Sequence, residues 1–158
     1  YTILTVVRTM DIDNISFRAF SHATENEDRV KKAVINVSKS EDLTCSKSCG
    51  YHGNPITIIE TKITHARDIK DFLISLSEED IKQLIDTIDL RVDDESFFYM
   101  RLDKQEAYLG NPMLNNGEDV ISVKGKIKSY PQNRENAVAS IKQTLDMILD
   151  KKISKHNK

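Results

Sequence analysis

Tyr99-Met-Arg-Leu-Asp-Lys-Gln-Glu-Ala-Tyr-Leu-Gly110 changes its periodicity halfway, and that change decides the fold class. Phe98, Met100 and Leu102 recur at every second residue, the spacing of a strand with one apolar face. Tyr99, Arg101 and Asp103 then occupy the other face. Asp103 stands where a helix beginning at Lys104 needs a side-chain acceptor, and Gly110 where that helix must end. A strand running straight into a short helix calls for an α+β architecture. The same residues form a dense polar knot, with the guanidinium, carboxylate, ammonium and amide of Arg101, Asp103, Lys104 and Gln105 close together.

Working outward, Asp93-Asp94 marks a turn before the strand, and Asn115-Asn116-Gly117 another after the helix. Val120 to Lys128 then alternates as a strand. Upstream, Ile3 to Val7 and Ile15 to Phe20 read as a strand pair or one bent strand. Thr24-Glu25-Asn26-Glu27 has the form of a capping box opening a helix over 25–38, with Val30, Ala33, Val34 and Val37 as its stripe. A polar loop is expected over 40–53, then a β-branched strand from Pro55. Helices follow over Asp68 to Leu76 and after the N-cap Ser77. Asn133 caps a last helix whose Ala137, Ile141, Leu145 and Ile148 share a face, and residues 151–158 read as a frayed basic tail. The expected fold is therefore a largely antiparallel sheet with helices packed on one face, one domain over residues 1–150.

At 158 residues the chain can bury a real core. Its hydrophobic share of 39%, charged share of 30% and net charge of −2 exclude a globally basic protein. Affinity for nucleic acid would require cations segregated onto one surface. No apolar run has the length of a membrane span or signal region, and two cysteines make no disulfide framework, so a cytoplasmic protein is expected. The chain starts at Tyr1 without methionine and reads as lacking a few residues there.

Lys124, Lys126 and Lys128 alternate with Val123, Gly125 and Ile127, so all three ammonium groups fall on one face, about 6–7 Å apart. Phosphates on a nucleic-acid strand have a similar spacing. The alternative is a solvated face or a protected edge strand. Gly125 inside the row allows close approach by a bulge or a ligand. In the knot, Arg101 can fork onto phosphate, Lys104 add a point charge and Gln105 bond a ribose or base. Alternatively, Asp103 caps the helix and pairs with Arg101. Tyr99 and Tyr108 can stack on bases or simply fill a half-buried sheet.

Cys45, Cys49 and His52 offer three zinc ligands, with His65 as a fourth, but without finger spacing; a pair of loop thiols is the favoured reading, and a local disulfide the remaining alternative. Asp93, Asp94 and Glu95 can hold Mg²⁺ or form a solvated turn. No phosphate-binding loop, nucleophile elbow or metalloprotease helix is present.

The blocks His22-Ala-Thr-Glu-x-Glu-x-Arg-Val30, Gly50-Tyr-His-Gly-Asn-Pro-Ile56, Arg101-Leu-Asp-Lys-Gln-x-Ala-Tyr-Leu-Gly110 and Tyr130-Pro131 resemble a family of small archaeal proteins described as RNA-binding or as predicted exosome-associated subunits. Glu106 departs from the alanine more usual there, and the Cys45/Cys49 pair is peculiar to this member. The resemblance implies a fold similar to the large-subunit ribosomal protein that binds the small ribosomal RNA of that subunit. It carries over no catalytic residue.

The expectation is a non-enzymatic RNA-binding protein without cofactor or metal. It grips the phosphate backbone of structured RNA with Arg101, Lys104, Gln105, Lys124, Lys126, Lys128 and Tyr99, with links to RNA-processing subunits and none to membranes. A protein–protein scaffold and a metal-dependent hydrolase are the alternatives.

Overall fold

Backbone pairing and helix caps assemble an α+β fold in the computed structural model, which describes residues 12–49 and 55–156. Ile3 to Val7, Gly50 to Asn54 and the last two residues lie outside those described. Five strands, β1 (Ile12–His22), β2 (Thr44–Cys49), β3 (Pro55–Ile63), β4 (Phe97–Asp103) and β5 (Val120–Ile127), form an antiparallel sheet in the order β2-β3-β1-β5-β4. Six helices accompany them among the described residues: α1 (Glu27–Ser38), α2 (Ala66–Ser75), α3 (Glu78–Asp86), α4 (Ile88–Arg91), α5 (Lys104–Tyr108) and α6 (Arg134–His156). The chain divides into two compact units. Among the described residues one takes 12–15, 64–99 and 124–156, and the other takes Ser16–Ile63 and Met100–Val123.

In the first unit α6 packs against α2 and α3. Ala137, Ile141, Leu145 and Ile148 meet a core that includes Ile69, Phe72, Leu73, Ile81 and Leu84, all buried. Both predicted caps are present: Ser77 Oγ accepts from the Asp80 amide at 3.1 Å, and Asn133 Oδ1 from the Asn136 amide at 2.8 Å. Of the basic tail expected over 151–158, residues as far as His156 continue α6. Lys152 Nζ donates to the Ile74 carbonyl at 2.7 Å, satisfying a carbonyl at the end of α2 and tying down the last turns of α6.

In the second unit α1 packs on α5 and β3. Its N-cap is Asn26, which accepts from the Asp28 and Arg29 amides, rather than the predicted Thr24. A short amide side chain two residues ahead of Asp28 reaches the free amides more directly than a hydroxyl further back. The predicted loop over 40–53 contains β2, paired antiparallel with β3 from Thr44↔Glu60 to Cys49↔Pro55. Its described side chains, Thr44 to Lys47, are all exposed, so no apolar alternation announces the strand.

The turn into β4 holds a residue in a strained backbone conformation. Asp93 N donates to Phe97 O and Ser96 N to Asp93 O, closing a tight hairpin loop with Ser96 at φ 69. Glycine is the usual occupant of that left-handed position. Ser96 is also fully buried, and among the described residues its hydroxyl has no hydrogen-bond partner. Ser96→Gly should therefore stabilise the protein by about 1 kcal/mol, read as a higher urea midpoint at unchanged slope.

Candidate nucleic-acid interface

The lysine row and the polar knot fall in different units. Strand β5 presents Lys124, Lys126 and Lys128 opposite Val123, Gly125 and Ile127, all three of which are buried. Period-two alternation thus holds along the whole strand. Gly125 faces inward, not toward a ligand: an added Cβ would meet Ile15 Cγ1, the Asn14 carbonyl and Ile12 Cγ2 at 3.6–3.8 Å. The buried positions of β1 slip by one residue there, from Ile12 to Ile15, so the bulge reading of that glycine is the better one.

Aromatic rings lie under the lysines. Lys124 Nζ stands 4.1 Å from the Phe97 ring centre and 5.8 Å from that of Tyr99, and Lys126 Nζ stands 4.6 Å from Phe97. Lys126 also donates to the Glu95 carbonyl at 2.7 Å, and Lys128 meets Asp13 at only 3.9 Å. Tyr99 is 40% exposed, but its hydroxyl donates to Asp93 Oδ2 at 2.7 Å. Desolvation of that hydroxyl, then the bond to Asp93, pushes its pKa to about 12. On Asp93 burial acts upward, but the Phe97 and Glu95 amides, the Tyr99 hydroxyl and the Lys124 charge together hold its carboxyl below 3.8. Asp93 Oδ1 accepts from both those amides at 2.9 Å. The acidic turn that sequence offers as a Mg²⁺ site is thus, at Asp93, an internally satisfied hairpin carboxylate.

In the second unit the knot resolves into a different arrangement. Asp103 caps α5 as expected, accepting from the Glu106 amide at 2.9 Å, while its other oxygen takes Asn115 Nδ2 at 2.8 Å. It does not pair with Arg101. Among the described residues the exposed Arg101 guanidinium has no ion-pair or hydrogen-bond partner.

Lys104 is the larger correction. Its side chain is 6% exposed, and its ammonium reaches the Phe20 carbonyl at 2.8 Å, Glu25 Oε2 at 3.1 Å and Asp119 Oδ1 at 2.9 Å. An ammonium has three protons, and all are committed. Lys104 therefore holds this corner together and cannot serve as a free phosphate contact. The Lys104 hydrogen bond is the main reason the Asp119 carboxyl lies below its ordinary range, and Gln105 adds a second bond.

Around Lys104 a cavity of about 360 Å³ is bordered by Glu25, Asn26, Arg29, Gln105 and Tyr108. Arg29 and Lys32, one turn apart on α1, stand 5.5 and 5.3 Å from the Tyr108 ring. Asn36 Nδ2 donates to the Ala107 and Tyr108 carbonyls and holds the end of α5. Sequence reasoning passed over Arg29 and Lys32. Their spacing of three marks them as neighbours, but nothing local links them to Tyr108.

Cys45 is exposed on β2, whereas the Cys49 side chain and His52 lie outside the description. Among the described residues no three His, Cys, Asp or Glu gather as a metal site, and no helix is long and apolar enough to cross a membrane.

A family model described as RNA binding matches residues 14–127. The chain belongs to this RNA-binding family. An RNA-binding protein of Pyrococcus abyssi is 37% identical over 143 residues, 84% of this chain and 93% of that protein. An uncharacterized protein of Methanocaldococcus jannaschii is 36% identical over 142 residues, 82% of this chain and 95% of its own. The solved structure of a protein from Methanothermobacter thermautotrophicus superimposes with a TM-score of 0.73 at 32% identity, covering 85% of this chain and 98% of that one.

Two outcomes follow from the site chemistry. Lys104→Ala strands a partly buried Glu25 and should cost about 2–3 kcal/mol in denaturant unfolding, with Asp119 screened by water and adding little. The Asp93 and Asp119 carboxyls are held below 3.8, so their contribution is present above that pH and lost as pH falls through their folded values. Tyr99 stays protonated to about 12, so stability should also decline as pH rises from 10 toward 12. Melting temperatures of Asp93→Asn and Tyr99→Phe against pH check both limbs; each variant should flatten its own.

Proposed function

We propose that the protein is a non-enzymatic RNA-binding module whose primary contact is the Lys124, Lys126 and Lys128 side of β5. The observation that carries the reading is the three-lysine row on a face whose opposite side is buried, with Phe97 and Tyr99 rings beside it. Cations at this spacing follow a phosphate backbone and release counterions on binding, and the near-neutral chain has gathered them locally. Aromatic rings next to them add surface on which a base can stack. Arg101, with its guanidinium free, and Gln105 are secondary contacts, while Lys104 positions Gln105.

The names of the family and of the similar Pyrococcus protein support RNA as the ligand. No paired base-reading aromatics of the ribonucleoprotein type occur, so the preference is for shape and backbone over sequence. An accessory role in an RNA-processing complex such as the exosome extends this reading from the resemblance. Replacing Lys124, Lys126 and Lys128 together by Gln should weaken binding to a structured RNA and lower the slope of log K against log salt by about 2–3. Affinity and slope equal to wild type would end the proposal.

A further inference from the structure

After β5 ends at Ile127, the chain runs through Lys128, Ser129, Tyr130 and Pro131 before α6 begins at Arg134. This connection borders a cavity of about 450 Å³ whose wall includes Ser129, Tyr130, Asn136, Ser140 and Gln143, with Lys128 at its edge. That size is within the range of small-molecule pockets. Two features of its lining ask for an occupant. Tyr130 is 98% exposed, a large ring kept in water without apolar cover. Lys128 is 61% exposed along its side chain, and its contact with Asp13 is long at 3.9 Å.

The connection itself is braced. Asn136 Nδ2 donates to the Pro131 carbonyl at 2.8 Å, and Ser140 Oγ to that of Lys128 at 3.4 Å. Pro131 further restricts the backbone after Tyr130. The ring is thus presented from a fixed base, which lowers the entropic cost of stacking something on it. Lys128 belongs both to the cation row and to the cavity edge, so a chain following the row arrives here.

We infer that this cavity receives one unstacked nucleotide of the bound RNA. Its base lies on the Tyr130 ring, its phosphate on Lys128, and its polar edge or ribose hydroxyl meets Gln143. The inference rests on the RNA-binding reading and sharpens it: the ligand is RNA with an unpaired nucleotide next to a paired or structured stretch.

The test uses two RNA hairpins of equal length, one fully paired and one with a single bulged 2-aminopurine, a base whose fluorescence changes on stacking. Wild type should bind the bulged RNA more tightly and change its fluorescence. Tyr130→Ala should lose about tenfold on the bulged RNA and abolish the fluorescence change, with the paired RNA and salt slope unaffected. Tyr130→Phe should behave as wild type. Gln143→Ala should weaken the bulged RNA alone, by severalfold. Tyr130→Ala binding both RNAs like wild type, or losing equally on both, overturns the nucleotide pocket and leaves the lysine-row reading standing. Wild type binding neither RNA overturns both.

Discussion

The ammonium of Lys104 lies at the point where the end of β1, the turn before α1, the start of α5 and the segment leading into β5 converge. Each of its protons goes to a different piece of chain: the Phe20 carbonyl, Glu25 and Asp119. A buried cation is tolerable only when its partners are fixed, so these three acceptors constrain one another through it. Glu25 is further held because it accepts from the His22 amide at 3.1 Å. Asp103 caps α5 one residue earlier, and Asn36 from α1 closes the other end. A five-residue helix has no stability of its own, and this one exists because charge, cap and clamp meet around it.

The lysines of this chain differ in what is left for an outside partner. Lys104 is spent inside the fold. Lys126 is partly spent on Glu95, and Lys124 only leans on aromatic rings, an attraction that leaves its protons available. Lys128 is nearly free. Availability therefore rises at both ends of the row, and α6 begins just beyond the end at Lys128. Distinguishing binding cations from structural ones required counting their acceptors, which charge counting along the sequence cannot do.

Local chemistry was legible wherever it was local. The strand-to-helix change at Asp103, the Ser77 and Asn133 caps, the alternation of β5 and the helical stripe of α1 each depend on neighbours within a few residues. The α+β class followed from them. What escaped depends on distant partners. β2 has no apolar pattern because its pairing with β3 is made by backbone groups, and the last turns of α6 gain their order from a carbonyl on α2. Lys104 looked like a surface cation because Glu25 and Asp119 are far away in sequence. The Tyr130-Pro131 pair was visible as a motif, yet its setting beside a cavity was not.

Strand β2 has a consequence of a different kind. It is the outer strand on one side of the sheet, so among the described residues its free backbone groups have no further strand beside them. Such an edge is a template on which a second molecule can grow a ladder. Here Thr44, Cys45, Ser46 and Lys47 surround it with hydroxyls and a charge and give a newcomer almost no apolar surface to cover. The blandness that hid this strand from sequence reading also leaves its described side chains little apolar surface to offer a second chain.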